Sequence, residues 1–150
     1  MASPALIWRA ALLEFLDENH VPGDIIEHKW FLDHFKMEVP ETMSKHEWGK
    51  WSLKFLSYFM PFREHLLKDH FIDLQSIGGD NFQIIPPEEQ TRSAVLELGG
   101  NYKRIHRRCS NRLRYVNKDK LTQQQLQENA DALAKVAQLK AMAQPIWKVE

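Results

Sequence analysis

The sequence predicts a mainly α (α+β) fold. Residues 3–86 form a helical unit with one β-hairpin, and residues 87–150 form an extension folded as an antiparallel helix pair. Three observations carry this expectation. Apolar residues recur every three or four positions along most of the chain, which gives helices one buried face. A single pair of β-prone runs interrupts them, Leu74-Gln75-Ser76-Ile77 and Phe82-Gln83-Ile84-Ile85, around a Gly78-Gly79-Asp80-Asn81 turn. Beyond Pro86-Pro87, which stops the second run, only helical periodicity returns.

The first helix opens at Ser3-Pro4, an N-cap followed by Pro at the first helical position. Leu6, Ala10, Leu13 and Leu16 follow at helical spacing, with Leu12 and Phe15 beside them, and Val21-Pro22-Gly23 ends the helix. Asp24 with Glu27 resembles a capping arrangement, so Ile26, Trp30, Phe31 and Phe35 are read as a second helix closing near Met37. A polar connection leads to Ser44 and Glu47, an S-x-x-E capping box. Behind it Trp48, Trp51, Phe55, Phe59, Phe62 and Leu66 form the longest apolar stripe in the chain, read as core and not as a ligand box. Pro61 lacks an N–H and crowds the preceding turn. A helix to Met60 and a further turn or two from Pro61 to His70 are therefore expected. In the hairpin turn Asp80 and Asn81 both tolerate positive φ.

The extension carries Val95, Leu98, Tyr102, Ile105, Cys109, Leu113 and Val116 at steps of three and four. Gly99-Gly100 inside this stripe costs about 1 kcal/mol per residue against Ala. The pair marks either a helix break or a close approach of another backbone. Asn117–Thr122 reads as the turn between helices, and Thr122 with Gln125 as a second capping box. The last helix ends at Pro145, which leaves Trp147 outside it, free to dock on the body or on a second subunit. Ala130, Ala134, Ala137 and Ala141 allow close helix approach, either to the preceding helix or in a homodimer.

The net charge of zero is a cancellation. Residues 1–101 hold nine Lys/Arg against sixteen Asp/Glu, whereas residues 102–120 hold eight against one. Segregation of this kind sets up local potentials. A single cysteine excludes an internal disulfide and fits a reducing compartment. No apolar run suits a signal peptide or a membrane span, so a soluble cytoplasmic protein is expected, with no membrane partner. His28/His34 and His65/His70 lack the spacing of helical metal ligands, and acidic pairs such as Asp69/Asp73 and Glu88/Glu89 stand near no nucleophile or phosphate loop. Neither a catalytic site, a metal nor a cofactor is expected.

The order helix, helix, helix, hairpin resembles the winged-helix class of DNA-binding domains. Phe62-Arg63-Glu64-His65-Leu66-Leu67, followed by Leu74 to Ile84, looks like the recognition-helix end and wing of response-regulator output domains. This resemblance covers about residues 5–86. It implies a third helix in the major groove and a wing on the backbone. Lys50, Lys54, Arg63 and Lys68 then become candidate phosphate or base contacts, with Asn81 and Gln83 on the wing. Two features depart from that pattern: the long connection before the third helix, and the acidic charge of this half, which includes Glu47, Glu64 and Asp69 on the helix itself.

The basic run is the second functional candidate. On a helix, Lys103, Arg107, Arg114 and Lys118 share one side, while Arg104 and Arg108 flank the apolar stripe. Guanidinium forks match phosphate oxygens. Nucleic acid, an acidic protein surface (the chain's own or a partner's) and solvation alone all remain open as the fate of this face. The leading expectation is a small intracellular nucleic-acid-associated regulator of bacterial or phage type, with DNA as its partner, binding by its basic helix without catalysis. The alternative is a protein-interaction module or inhibitor whose acidic half occupies a basic cleft of a partner.

Overall fold

A computed structural model describes the backbone of residues 2–147 and the side chains of residues 2–145. Two compact units divide the chain, Met1–Gln90 and Thr91–Glu150. The first contains α1 (Pro4–Asp17), β1 (Ile25–Glu27), α2 (His28–His34), α3 (Lys45–His70), β2 (Asp73–Gly78) and β3 (Asn81–Ile85). From Thr91 onward the second contains α4 (Pro87–Arg114), a 3-10 turn (Lys118–Lys120) and α5 (Gln123–Trp147). The mainly α architecture with one hairpin agrees with the sequence expectation.

The Ser44/Glu47 box opens α3. The Glu47 amide donates to the Ser44 hydroxyl at 3.2 Å, and the Ser44 amide donates to the Glu47 carboxylate at 2.8 Å. Two otherwise orphaned helix N–H groups are satisfied in this way. The helix then runs unbroken through Pro61 to His70, against the expectation of a break. Pro61 deprives only one carbonyl of its partner, that of Ser57, and Ser57 is exposed to water. Burial on both sides of Pro61 holds the helix together, since Phe55, Tyr58, Phe59, Phe62 and Leu66 are all buried. The C-terminus closes with Phe71 in the left-handed region at φ 58°. Its amide donates to the Leu67 carbonyl, the single bond of an αL cap, and the Ile72 amide donates to Leu66.

Around α3 the core is chiefly aromatic. The fully enclosed Phe62 meets Phe31 at 5.5 Å, Phe15 at 5.7 Å and Phe35 at 5.9 Å between ring centroids, all nearly edge-on. Edge-to-face contacts align the positive ring edge with the negative face. α1 buries Trp8, Ala11, Leu12 and Phe15, whereas the expected stripe members Leu6 and Leu13 are exposed. Both sets have helical spacing; the two large rings remove more apolar area from water and decide the face.

Ile25–Glu27 is a strand, so Ile26 does not belong to α2, and Asp24 does not cap that helix. The Asp24 carboxylate instead accepts the Val21 amide at 2.9 Å, and its carbonyl accepts the Ile84 amide at 3.0 Å. Three residues are too few for a period-two signal. The antiparallel sheet has the order β1-β3-β2, with Ile26 opposite Phe82 and Leu74 opposite Ile84. In the hairpin, Gly79 and Asp80 both sit at φ 60°, as a two-residue turn of this hand demands. Asn81 is already a strand residue, which corrects its assignment to the turn.

In the second unit, α4 passes straight through Gly99-Gly100. Gly99 is buried, whereas a side chain at Gly100 would enter open space. The Thr122/Gln125 box forms, with both hydrogen bonds between 3.0 and 3.2 Å. α5 continues past Pro145 to Trp147, contrary to expectation, because a proline so near the helix end removes only one hydrogen bond. The Trp147 side chain, expected to dock, lies outside the described residues.

Two outcomes test this account. Replacing Phe62 by Ala should cost about 3–5 kcal/mol in a denaturant titration. The Ser44 amide holds the exposed Glu47 carboxyl below its ordinary value of 4.5. The cap is therefore complete above that value and is lost as pH falls through the lowered folded value. Acid titration followed by circular dichroism should show fraying of α3 in that window, with the transition absent in Glu47→Gln.

Candidate functional site

The second unit holds the more chemically defined site. Its two helices pack antiparallel: the Asn129 side chain donates to the Leu113 carbonyl at 3.0 Å, and His106 Nε2 lies 3.3 Å from the Val136 carbonyl. Both bonds belong to one register, which brings Gly99 level with Ala143 and Cys109 level with Leu133. The half-buried seam of α4 is Val95, Tyr102, His106, Cys109 and Leu113, joined by buried Gly99. Leu98 and Ile105, expected on that seam, are exposed at 56% and 52%. The unbroken α4 overturns the helix-break reading of Gly99-Gly100.

Along one flank of this hairpin runs an open groove of about 400 Å³. It is lined by Lys103, His106, Arg107, Ser110, Asn111, Arg114, Lys140 and Gln144. Among the described residues four Lys/Arg side chains and four other hydrogen-bonding side chains face it, with no carboxylate and no aromatic ring except the imidazole of His106. Among the described side chains of the second unit no carboxylate pairs with Arg107, Arg114 or Lys140. Lys103, Arg107 and Arg114 were legible from their spacing on one helix. Lys140 and Gln144 were not, because their place beside the run depends on the antiparallel register of α5. Their separation of four residues was the available signal.

The other basic candidates diverge from this groove. Arg104 donates to Asn101 at 2.9 Å along its own helix, and Arg108 is exposed but does not line the groove. Lys118 lies in the 3-10 turn, since α4 stops at Arg114, so it does not share the helix side expected for it. The tight turn after Arg114 takes the backbone out of helical phase.

In the first unit the candidates do not form one surface. Lys50, Lys54 and Lys68 recur along one side of α3 and are exposed, and Lys68 is held by Glu64 one turn earlier. That contact holds the Glu64 carboxyl below, and the Lys68 ammonium above, their ordinary values. Arg63 lies on a different side, half-buried, donating to Gln75 at 2.5 Å, which in turn donates to Asp73 at 2.5 Å. It ties α3 to β2. Asn81 sits opposite Glu27 in the sheet, and Gln83 donates to the Gly23 carbonyl at 3.2 Å. Both wing candidates are thus half-buried strand residues.

The exposed side of α3 between these groups is apolar. Leu53, Leu56, Met60 and Leu67 are 68%, 45%, 57% and 40% exposed, and they continue the three-and-four spacing on the face opposite the core. Sequence reading overlooked them because the aromatic stripe on the same helix is stronger. The N-terminal end of that aromatic stripe is not core: Trp48 is half exposed, and with Trp51, Phe55 and Phe82 it lines a second groove of about 300 Å³.

Among the described residues no three His, Cys, Asp or Glu side chains converge as metal ligands, and no helix is long and apolar enough to cross a membrane. Comparison with protein-family models, with curated proteins and with solved structures finds no match to this chain.

Proposed function

We propose that this protein is a small nucleic-acid-associated regulator that grips a phosphate backbone in the groove between α4 and α5 and acts by occupancy, without a covalent step. One observation carries the reading: Arg107, Arg114 and Lys140 converge, beside Lys103, on one groove whose described lining holds no carboxylate. Lys103 to Arg114 spans about 16 Å at 1.5 Å per residue. That matches the rise of about five nucleotides at 3.4 Å each along one strand. Ser110, Asn111 and Gln144 add neutral donors to phosphate oxygens, contacts that position a duplex without reading it. Among the described residues the lining holds no Trp, Tyr or Phe for base stacking, which favours backbone contact over recognition of single-stranded bases. The order α1, β1, α2, α3, β2, β3 of the first unit, with β1 joined to the hairpin, supports a winged-helix reading. Its use of α3 as a groove-reading helix is disfavoured, because the exposed side of α3 carries Leu53, Leu56, Met60 and Leu67.

A second reading is a protein-interaction module or inhibitor. The same exposed apolar side favours it, together with Glu47, Glu64 and Asp69, which are exposed on α3. An acidic, partly apolar helix suits a basic cleft on another protein.

Fluorescence anisotropy of a labelled duplex across a salt series separates the two. Three phosphates neutralised by Arg107, Arg114 and Lys140 give a slope of log K against log salt of about −2.7. The double variant Arg107→Ala/Arg114→Ala should reduce that slope by about 1.8. Lys50→Ala/Lys54→Ala should leave it unchanged, and duplexes of unrelated sequence should bind alike. No binding at low salt would contradict the nucleic-acid reading.

A further inference from the structure

The exposed stripe of α3 has a pattern that the proposed nucleic-acid function does not use. Gly49, Leu53, Leu56, Met60 and Leu67, with the half-buried Arg63 at the stripe's edge, recur at alternating steps of four and three, the heptad spacing by which one helix lays a seam against another. From Gly49 to Leu67 the stripe is about 27 Å long at 1.5 Å per residue. Beyond it stands Phe71, 81% exposed and held at φ 58°, a backbone region where a bulky residue is rare. A large ring held there extends the apolar surface past the helix end.

We propose that a second copy of this chain covers the stripe, with the two α3 helices packed antiparallel about a two-fold axis between Leu56 and Met60. The stripe is complementary to itself in this one register. Leu56 meets Met60 of the second copy, and Leu53 meets the aliphatic stem of its Arg63. Leu67 meets its Gly49, where a side chain on the glycine would find nothing within 4 Å and where a leucine therefore has room. The same register sets charge against charge. Lys50, Ser57 and Glu64 are seven residues apart and share one flank, so each Lys50 lies beside the Glu64 of the other copy, a carboxylate that also holds its own Lys68, and Ser57 meets its own equivalent at the axis. An isologous interface requires this reciprocity, in which the first residue of a pair meets the second and the second meets the first. The inference is independent of nucleic acid. Two copies joined this way would present two basic grooves, and binding both to one polyanion would raise affinity through effective concentration.

Sedimentation velocity on the full chain at high micromolar concentration tests it, with circular dichroism melts to verify folding of each variant. The wild type should sediment as a dimer and Met60→Glu as a monomer. Lys50→Glu and Glu64→Lys should each weaken the dimer about tenfold by replacing two attractions with two repulsions. The double variant Lys50→Glu/Glu64→Lys, which restores opposite charges, should return it to wild-type strength. A monomeric wild type overturns the proposal. So does a dimer that survives Met60→Glu, including one lost instead on Ala137→Glu in α5, and so does a double variant no stronger than either single one.

Discussion

Edge-to-face packing of Phe62 against Phe15, Phe31 and Phe35 is the interaction on which the first unit depends. It joins α1, α2 and the residue that caps α2 to one point on α3, and it explains why that helix survives Pro61. A proline in a helix interior costs about 3 kcal/mol or more. Aromatic rings buried on both sides offset that cost, because a break at Met60 would separate Phe55, Tyr58 and Phe59 from Phe62 and Leu66. The same packing fixes the outward side of α3, and with it the apolar stripe that faces water. Beside it, the sheet depends on β1, whose three residues pair with β3 and seat Ile26 in the core.

The second unit is held differently. Of its described residues only Gly99 is buried, and its polar seam residues, His106 and Asn129, are satisfied by backbone carbonyls of the facing helix. Such bonds fix register more than they add stability, since a hydrogen bond that replaces water contributes about 1 kcal/mol net. Register is what the groove needs. A slip of one turn would move Lys140 and Gln144 away from Lys103 and Arg107 and divide the positive field between two surfaces.

Much of this was legible in the sequence where the controlling physics is local. The capping boxes at Ser44/Glu47 and Thr122/Gln125, the Gly79-Asp80 turn and the helix-helix connection near Lys118 each depend on residues within four positions of one another. What was not legible depends on distant partners. The strand of Ile25–Glu27 exists because β3 lies beside it. The seam of α4 turns toward Gly99 and His106 because α5 approaches there, which leaves Leu98 and Ile105 outside. The burial of Arg63, Asn81 and Gln83 follows from contacts with Gln75, Glu27 and Gly23, none of which spacing could supply. The basic groove lies between these cases: three of its cations are set by helical periodicity and the fourth by tertiary register.

The central claim is that one aromatic cluster makes α3 a single cooperative element across Pro61. Native-state hydrogen exchange on the full chain tests it most directly, because amides that open together report one free energy. The amides of Phe55 to Met60 and of Phe62 to Leu66 should exchange together with those of Phe31 to Phe35, at the slowest rate in the first unit. Lys45 to Lys50, whose side chains are exposed, should open earlier. If the segment before Pro61 exchanged independently of the segment after it, the cluster would not unify the helix and the claim would be contradicted.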